Sequence, residues 1–217
     1  GANASEKLVL VGLTKILRGE HLPYAQALKT CQAVLSDQVH PALKAATIIG
    51  QRMNLESFDE MQAYLDSVYL PDQVVPIAVE TLTHFGQPFD GATRYFRPTL
   101  FVAAIRAALD RPTLLHGVDL MPPKNGVTEE QILKVLGAKI DYTLAQAREL
   151  LEDPTIGFAY VSQREYAPQA YTLRQLRVEI QKRPPWAATE KVQQLFSAQQ
   201  ANYMVIGYYH SGYEAKL

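Results

Sequence analysis

The residues best suited to chemistry stand in one run, Asp90-Gly91-Ala92-Thr93-Arg94-Tyr95-Phe96-Arg97-Pro98, directly before a helical segment that opens at Thr99. Arg94 and Arg97 can hold a phosphate, the helix start adds N–H groups, and Tyr95 and Phe96 can stack a base or ribose. The competing reading is structural, with Asp90-Gly91 as a plain turn and both aromatics packed beneath a sheet. Downstream, Arg174 and Arg177 are spaced i,i+3 and share a helix face, near Arg164, Lys182 and Arg183 and interleaved with Tyr166, Tyr171 and Trp186. That set can bind an anion or a nucleic-acid backbone, or it can be a solvated face balanced by Glu165 and Glu179. His116, followed by Gly117 at a strand end, reads as a ligand contact or as a buried histidine bonded to backbone. Lys124-Asn125-Gly126 reads as a solvated loop tip. Cys31 has no histidine near it in sequence and reads as a small core residue. No spacing matches a metal site, a nucleophile elbow or a P-loop.

These residues need elements to position them. Residues 5–70 carry helical periodicity only and read as a subdomain of four helices. The first has a stripe of Leu8, Leu10, Leu13, Ile16 and Leu17 and stops at Gly19; Gly1–Ala4 are set aside as outside the fold. The second runs from about Leu22 to Leu35 with Pro23 in its first turn, and the third starts at Pro41 and reaches Met53. The fourth starts at Ser57, with Glu60 at capping-box spacing. Ala42, Ala45, Ala46 and Gly50 permit close helix packing or a dimer face.

Residues 74–217 change character. Val74–Val79 is short and β-branched, a strand or linker. After it come helix 99–109, strand 113–115, helix 128–136 opened by Thr128 and closed by Gly137, helix 143–152 and strand 156–161. Helix 168–181, helix 188–196 and strand 203–209 complete the series. This alternation predicts a mostly parallel sheet flanked by helices, so the fold class is α/β with an all-helical N-terminal subdomain. The loops after the strands emerge at one sheet edge, where such folds place ligands. The chain breaks off at Leu217, in the first turn of another helix, which predicts an incomplete α/β domain.

Composition narrows the classes. Of 217 residues, 47% are hydrophobic and 20% charged, ordinary for a packed globular chain. The net charge of −1 gives no global attraction to nucleic acid or acidic membranes. No apolar run approaches the ~18 residues needed to span a bilayer, and a single cysteine fits a reducing, cytoplasmic setting.

The order of several phrases resembles the anthranilate phosphoribosyltransferase family (glycosyltransferase family 3), which also includes pyrimidine nucleoside phosphorylases. They are Leu43-Lys44-Ala45-Ala46-Thr47-Ile48-Ile49-Gly50-Gln51-Arg52-Met53, His116-Gly117, Ile132-Leu133-Lys134-Val135-Leu136-Gly137 with Ile140-Asp141, and Ile156-Gly157-Phe158. The resemblance implies a helical subdomain, an α/β domain and a homodimer built through the N-terminal helices. It also implies where a sugar diphosphate would lie: against Asp90, Gly91, Thr99, His116 and Gly117, with Thr93, Arg94 and Arg97 alongside. Arg177 and Arg183 would meet an acidic acceptor, and magnesium would be held by residues beyond Leu217.

The departures from the family are specific. Gln87-Pro88-Phe89 stands where its diphosphate loop has threonine and glycines, although such a loop needs free N–H groups and φ > 0. Phe96 and Pro98 replace its asparagine and serine, and Leu115 and Val118 flank His116-Gly117 in place of lysine and asparagine. Pro184, Trp186 and Ala187 replace the polar residues after its second arginine. Such a scaffold with an altered site resembles a non-tryptophan-pathway branch associated with nucleic-acid binding. The expectation is therefore a non-catalytic protein that binds a nucleic acid, a nucleotide, another phosphorylated small molecule or a protein. The alternative is a transferase of altered specificity. A transferase predicts an open polar cleft, and a binding module predicts one plugged by Phe89, Phe96, Leu115 or Met121.

Overall fold

The computed structural model of the protein describes residues 1–208. Four helices come first: α1 (Ala4–Ile16), α2 (Tyr24–Leu35), α3 (Pro41–Met53) and α4 (Phe58–Val68). Asn3 caps α1 in a reciprocal box with Glu6, so the first residues belong to the fold rather than outside it. The Ser57–Glu60 box forms as expected. The buried stripe of α1 is Val9, Gly12, Leu13 and Ile16, whereas Leu8, Leu10 and Leu17 face outward. Gly50 lets α3 close on α1, because a Cβ there would stand 2.7 Å from Ile16 Cγ2.

The sheet has four parallel strands in the order β4-β3-β2-β6. They are β2 (Thr81–Gln87), β3 (Thr113–Gly117), β4 (Phe158–Ser162) and β6 (Ala201–Val205). Among the described residues, β6 is an edge strand. A separate two-residue parallel pairing joins β1 (Val75–Pro76) to β5 (Phe196–Ser197). Helices α5 (Thr99–Ala108), α6 (Glu129–Val135) and α7 (Leu144–Glu152) follow the sequence reading closely. Thr128 and Thr143 cap α6 and α7, each in a capping box.

Three expectations need correction. The central strand β2 lies where only a loop was read around Gly86. It is buried on both faces, so Thr81, Thr83 and His84 mask the apolar run a covered strand usually shows. Helix 168–181 is broken into α9 (Pro168–Thr172) and α10 (Arg174–Ile180), preceded by a single-turn α8 (Gln163–Tyr166). Helix 188–196 does not form. Thr189–Val192 is one 3₁₀ turn, and the chain then extends so that Leu195 and Ser197 carbonyls accept from Val75 and Ile77 N–H groups. Strand pairing with β1 takes the backbone groups a longer helix would have used. Tyr209, read as a strand end, and the helical turn read after it lie outside the described residues.

Alternation along the strands gives the sheet two covered faces. Phe85, Leu115 and Tyr160 pack with Leu100, Ala103 and Leu133 of α5 and α6. Leu82, Leu114 and Val161 join the core that also holds Val9, Ile48, Tyr64, Trp186 and Phe196. Tyr64 meets Trp186 edge-on at 5.9 Å, which ties α4 to the segment after α10.

Candidate ligand-binding site

Strand β2 ends at Gln87, and the chain turns at once: Phe89 N–H donates to Gln87 O over 2.9 Å. The following loop is zipped to the loop after β3. Ala92 and Val127 exchange backbone hydrogen bonds of 2.9 and 2.8 Å, and Gly126 N–H donates to Asp90 O at 2.8 Å. The two loops expected at one sheet edge are therefore a single paired unit. Gly91 has φ +79°, and Gly126 passes so close that neither position has room for a side chain.

A cleft of about 290 Å³ opens beside this unit, between the ends of β2 and β6. Phe85, Gly86, Gln87, Phe89, Arg97, Thr99, Lys191 and the segment Val205–Gly207 line it. Thr99 is the first residue of α5, and the Pro98 before it supplies no side-chain cap. Phe89 is the only one of the four residues expected to plug a cleft that lines this one, with the Arg97 guanidinium 4.1 Å over its ring. Leu115 and Met121 are buried in the core, and Phe96 points to solvent.

Arg97, Arg164, Arg174, Arg177 and Arg183 are committed to carboxylates. Arg97 donates to buried Glu129 over 2.8 Å and also to Gln87. Arg183 grips Asp90, its Nε 3.1 Å from Oδ2. Arg174 meets Asp119 at 2.7 Å and the Leu120 carbonyl at 2.6 Å, lying 3.4 Å over the Tyr171 ring. Arg177, read from its spacing as an exposed-face partner of Arg174, is buried and forks onto Glu190 at 2.6 and 2.8 Å. Arg164 reaches Glu130 at 2.6 Å, where Tyr160 and Ser162 also donate. Of the predicted site residues, Arg97 and Thr99 line the cleft, whereas Asp90, Gly91 and Arg183 are not part of its lining. Thr93 and Arg94 stand exposed on the loop, beside Tyr95 and Phe96. Those two aromatics are 82% and 76% exposed, which sets aside the reading that packs them beneath the sheet.

His116 and Gly117 close β3, at the strand end where they were expected. His116 is fully buried, and its Nδ1 sits 3.1 Å from the Tyr166 hydroxyl. Burial, with His84 nearby, pushes His116 down to about 3, and burial pushes His84 down to about 4. Neither His84 nitrogen makes a hydrogen bond by geometry, although the Tyr203 and Phe196 backbones lie near enough to offset part of that shift. Both rings are neutral at pH 7.

Sequence reasoning missed Lys191, Gln87 and Glu129. Lys191 was hidden inside a helix that does not form. Its backbone carbonyl lies directly over Gly86, and its half-buried side chain donates to the Gly207 carbonyl. Burial lowers the Lys191 pKa, Asp90 and Glu190 oppose that shift, and Arg183 adds to it. Glu129 was visible only as an acid in a helix first turn. Burial raises its pKa against the opposing pull of Arg97.

Among the described residues, no group of three or more His, Cys, Asp or Glu side chains could hold a metal, and Asp90 and Glu129 are each taken by an arginine. No helix among them is long and apolar enough to cross a membrane.

No protein-family model matches the chain. Curated relatives do, among them the two that follow. Anthranilate phosphoribosyltransferase of Nitrosomonas europaea is 26% identical over 152 residues, 68% of this chain and 43% of that protein. The enzyme of the same name from Aeropyrum pernix is 27% identical over 169 residues, 76% and 47% respectively. The crystal structure of anthranilate phosphoribosyltransferase (TrpD) from Thermus thermophilus superposes with a TM-score of 0.76 at 19% identity, covering 94% of this chain and 60% of that one. The chain is anthranilate phosphoribosyltransferase-like. The Saccharomyces cerevisiae enzyme, solved in complex with PRPP and Mg, gives a TM-score of 0.77 at 12% identity, covering 97% and 61%. At these identities the solved structures establish the anthranilate phosphoribosyltransferase-like fold. The matched stretch spans less than half the length of the curated relatives, at 43% and 47%.

Proposed function

We propose that this chain is a non-catalytic binding protein on an anthranilate phosphoribosyltransferase-like scaffold, holding a phosphorylated small molecule in the cleft at the end of β2. One observation carries the reading. Arg97, Arg177 and Arg183, three of the arginines that would serve a diphosphate or an acidic acceptor, are each already paired with an internal carboxylate, and Arg94 stands outside the cleft lining, which leaves Lys191, bonded to a carbonyl, as the cleft-lining cation free of one. A single ammonium beside Thr99 at the start of α5 suits one phosphate group better than a magnesium-bound diphosphate. A nucleic-acid backbone along Arg174 and Arg177 has little to grip, since Asp119 and Glu190 occupy both side chains. The homodimer belongs to the same proposal: Leu8, Val11 and Ala25 line an outward-facing apolar groove between α1 and α2. A reducing cytoplasm suits the single buried Cys31.

The test is calorimetric titration with ribose 5-phosphate on the chain and on Lys191→Gln. The expected result is saturable binding that weakens about tenfold or more in the variant, as for loss of one charge-assisted hydrogen bond. No binding by the parent chain overturns the reading.

A second reading keeps transferase activity with altered specificity. The retained Gly86 and Thr99 at the cleft favour it, as does the S. cerevisiae relative solved with PRPP and Mg. Binding of phosphoribosyl diphosphate that requires magnesium would select it over the first.

A further inference from the structure

Tyr95 and Phe96 on the loop before α5, with Phe101 in the first turn of α5, form an aromatic group outside the core clusters. Phe96 lies on Phe101 with ring centroids 5.5 Å apart and planes inclined by only 22°. Phe101 is 39% exposed and backs one face of Phe96, whose own exposure is 76%. Tyr95, next in the chain, is 82% exposed. Isolated exposed apolar residues are common and mean little. A preformed parallel stack differs, because a planar ring is already held in place with one face free. Its position adds the second argument. Phe96 immediately precedes Arg97, and Thr99 follows two residues later; both line the cleft that also holds Lys191. The exposed Arg94 sits on the other side of Tyr95. The exposed aliphatic residues Val102 and Ile105 of α5, and Leu109 just after it, are not part of the cleft lining.

We infer that Phe96, backed by Phe101 and flanked by Tyr95, is the stacking platform for the base of a nucleotide whose phosphate occupies the Lys191 cleft. The inference rests on the phosphate reading above and names the ligand class of the same site. Stacking on aromatic faces is tolerant of base identity, so the platform accepts purines and pyrimidines and favours the larger purine face. A free nucleotide and the end of a single strand share this chemistry.

The experiment compares adenosine 5′-monophosphate, uridine 5′-monophosphate, ribose 5-phosphate and a ten-residue deoxyadenylate strand. Each is titrated against the chain, Phe96→Ala and Phe96→Trp. The expected result is that adenosine 5′-monophosphate binds about tenfold tighter than ribose 5-phosphate, with uridine 5′-monophosphate between them. Phe96→Ala brings the adenine nucleotide to the level of ribose 5-phosphate, and Phe96→Trp restores the difference. If nucleotide and ribose 5-phosphate bind equally, the platform is overturned while the phosphate site stands. If neither binds, both readings fall. Tighter, salt-sensitive binding of the strand, lost in Phe96→Ala, supports the platform and identifies the source as single-stranded nucleic acid.

Discussion

A Cβ placed on Gly91 would stand 2.2 Å from the carbonyl oxygen of Gly126. The two loops at the sheet edge therefore meet backbone to backbone. Backbone cannot swing aside as a flexible side chain can, and φ +79° at Gly91 is unfavourable for any residue with a Cβ. Gly91→Ala should cost at least about 2 kcal/mol and separate the loops. The check is amide hydrogen exchange at Ala92 and Val127 together with a thermal melt. Unchanged protection at both amides would show that the loops are not held by this contact.

Gly86→Ala reports on a different approach. The added Cβ would fall 1.6 Å from the Lys191 carbonyl oxygen, so the 3₁₀ turn must lift off β2 and carry Lys191 away from the cleft. Phosphate binding should drop by at least as much as in Lys191→Gln, accompanied by a lower melting temperature. A variant that melts early yet still binds ribose 5-phosphate like the parent would remove Lys191 from the site.

The Arg177–Glu190 pair is buried from both sides, with side chains 3% and 0% exposed. Removing either partner strands a charge in the core, so Arg177→Met or Glu190→Gln should each cost about 3–5 kcal/mol. The double variant should cost clearly less than the sum, because no lone charge remains. Additive costs in urea denaturation would mean that the ions do not act as a pair.

Stability should fall on mild acidification. His84 and His116 are held down to about 4 and about 3, below the ordinary histidine value of 6.5. The unfolded chain therefore takes up protons first. Their contribution is intact above about pH 6.5 and is lost as pH drops through that window, His84 alone giving up about 3 kcal/mol by pH 4. Glu129, with its pKa raised by burial, runs the other way, since the folded state takes its proton first on acidification. His84→Gln should flatten the decline between pH 6.5 and 4 in a urea-denaturation series; an equally steep loss would place its origin elsewhere.

Helices were legible where the signals are local. Ser57 with Glu60 and Thr128 before α6 cap as their spacing implies, and Pro41 opens α3. The parallel sheet followed from alternation, but its middle strand did not. The segment Thr81–Gln87 is covered on both faces and carries Thr83 and His84 inside, so neither period 2 nor a clean apolar run survives. The site was half visible for another reason. Arginines announce themselves in a sequence, but their partners do not: Asp90 is 93 residues from Arg183, and Asp119 is 55 from Arg174. Arg97, Arg174, Arg177 and Arg183 looked available along the chain, and folding paired each with a carboxylate. Lys191 had no local signal at all, because its placement depends on a turn that strand pairing with β1 imposes.

Strand β6 has a neighbour on one side only among the described residues, and it keeps Tyr203 56% and Val205 43% exposed. A bare row of N–H and C=O groups beside apolar side chains is a template on which another extended segment can grow. Among the described residues, β6 therefore offers an edge for pairing between copies of the chain, on an element other than the helices α1 and α2 proposed for the dimer. Tyr203→Lys would blunt that edge while leaving the helices and the cleft lining untouched, so solubility and dimerisation can be tuned separately.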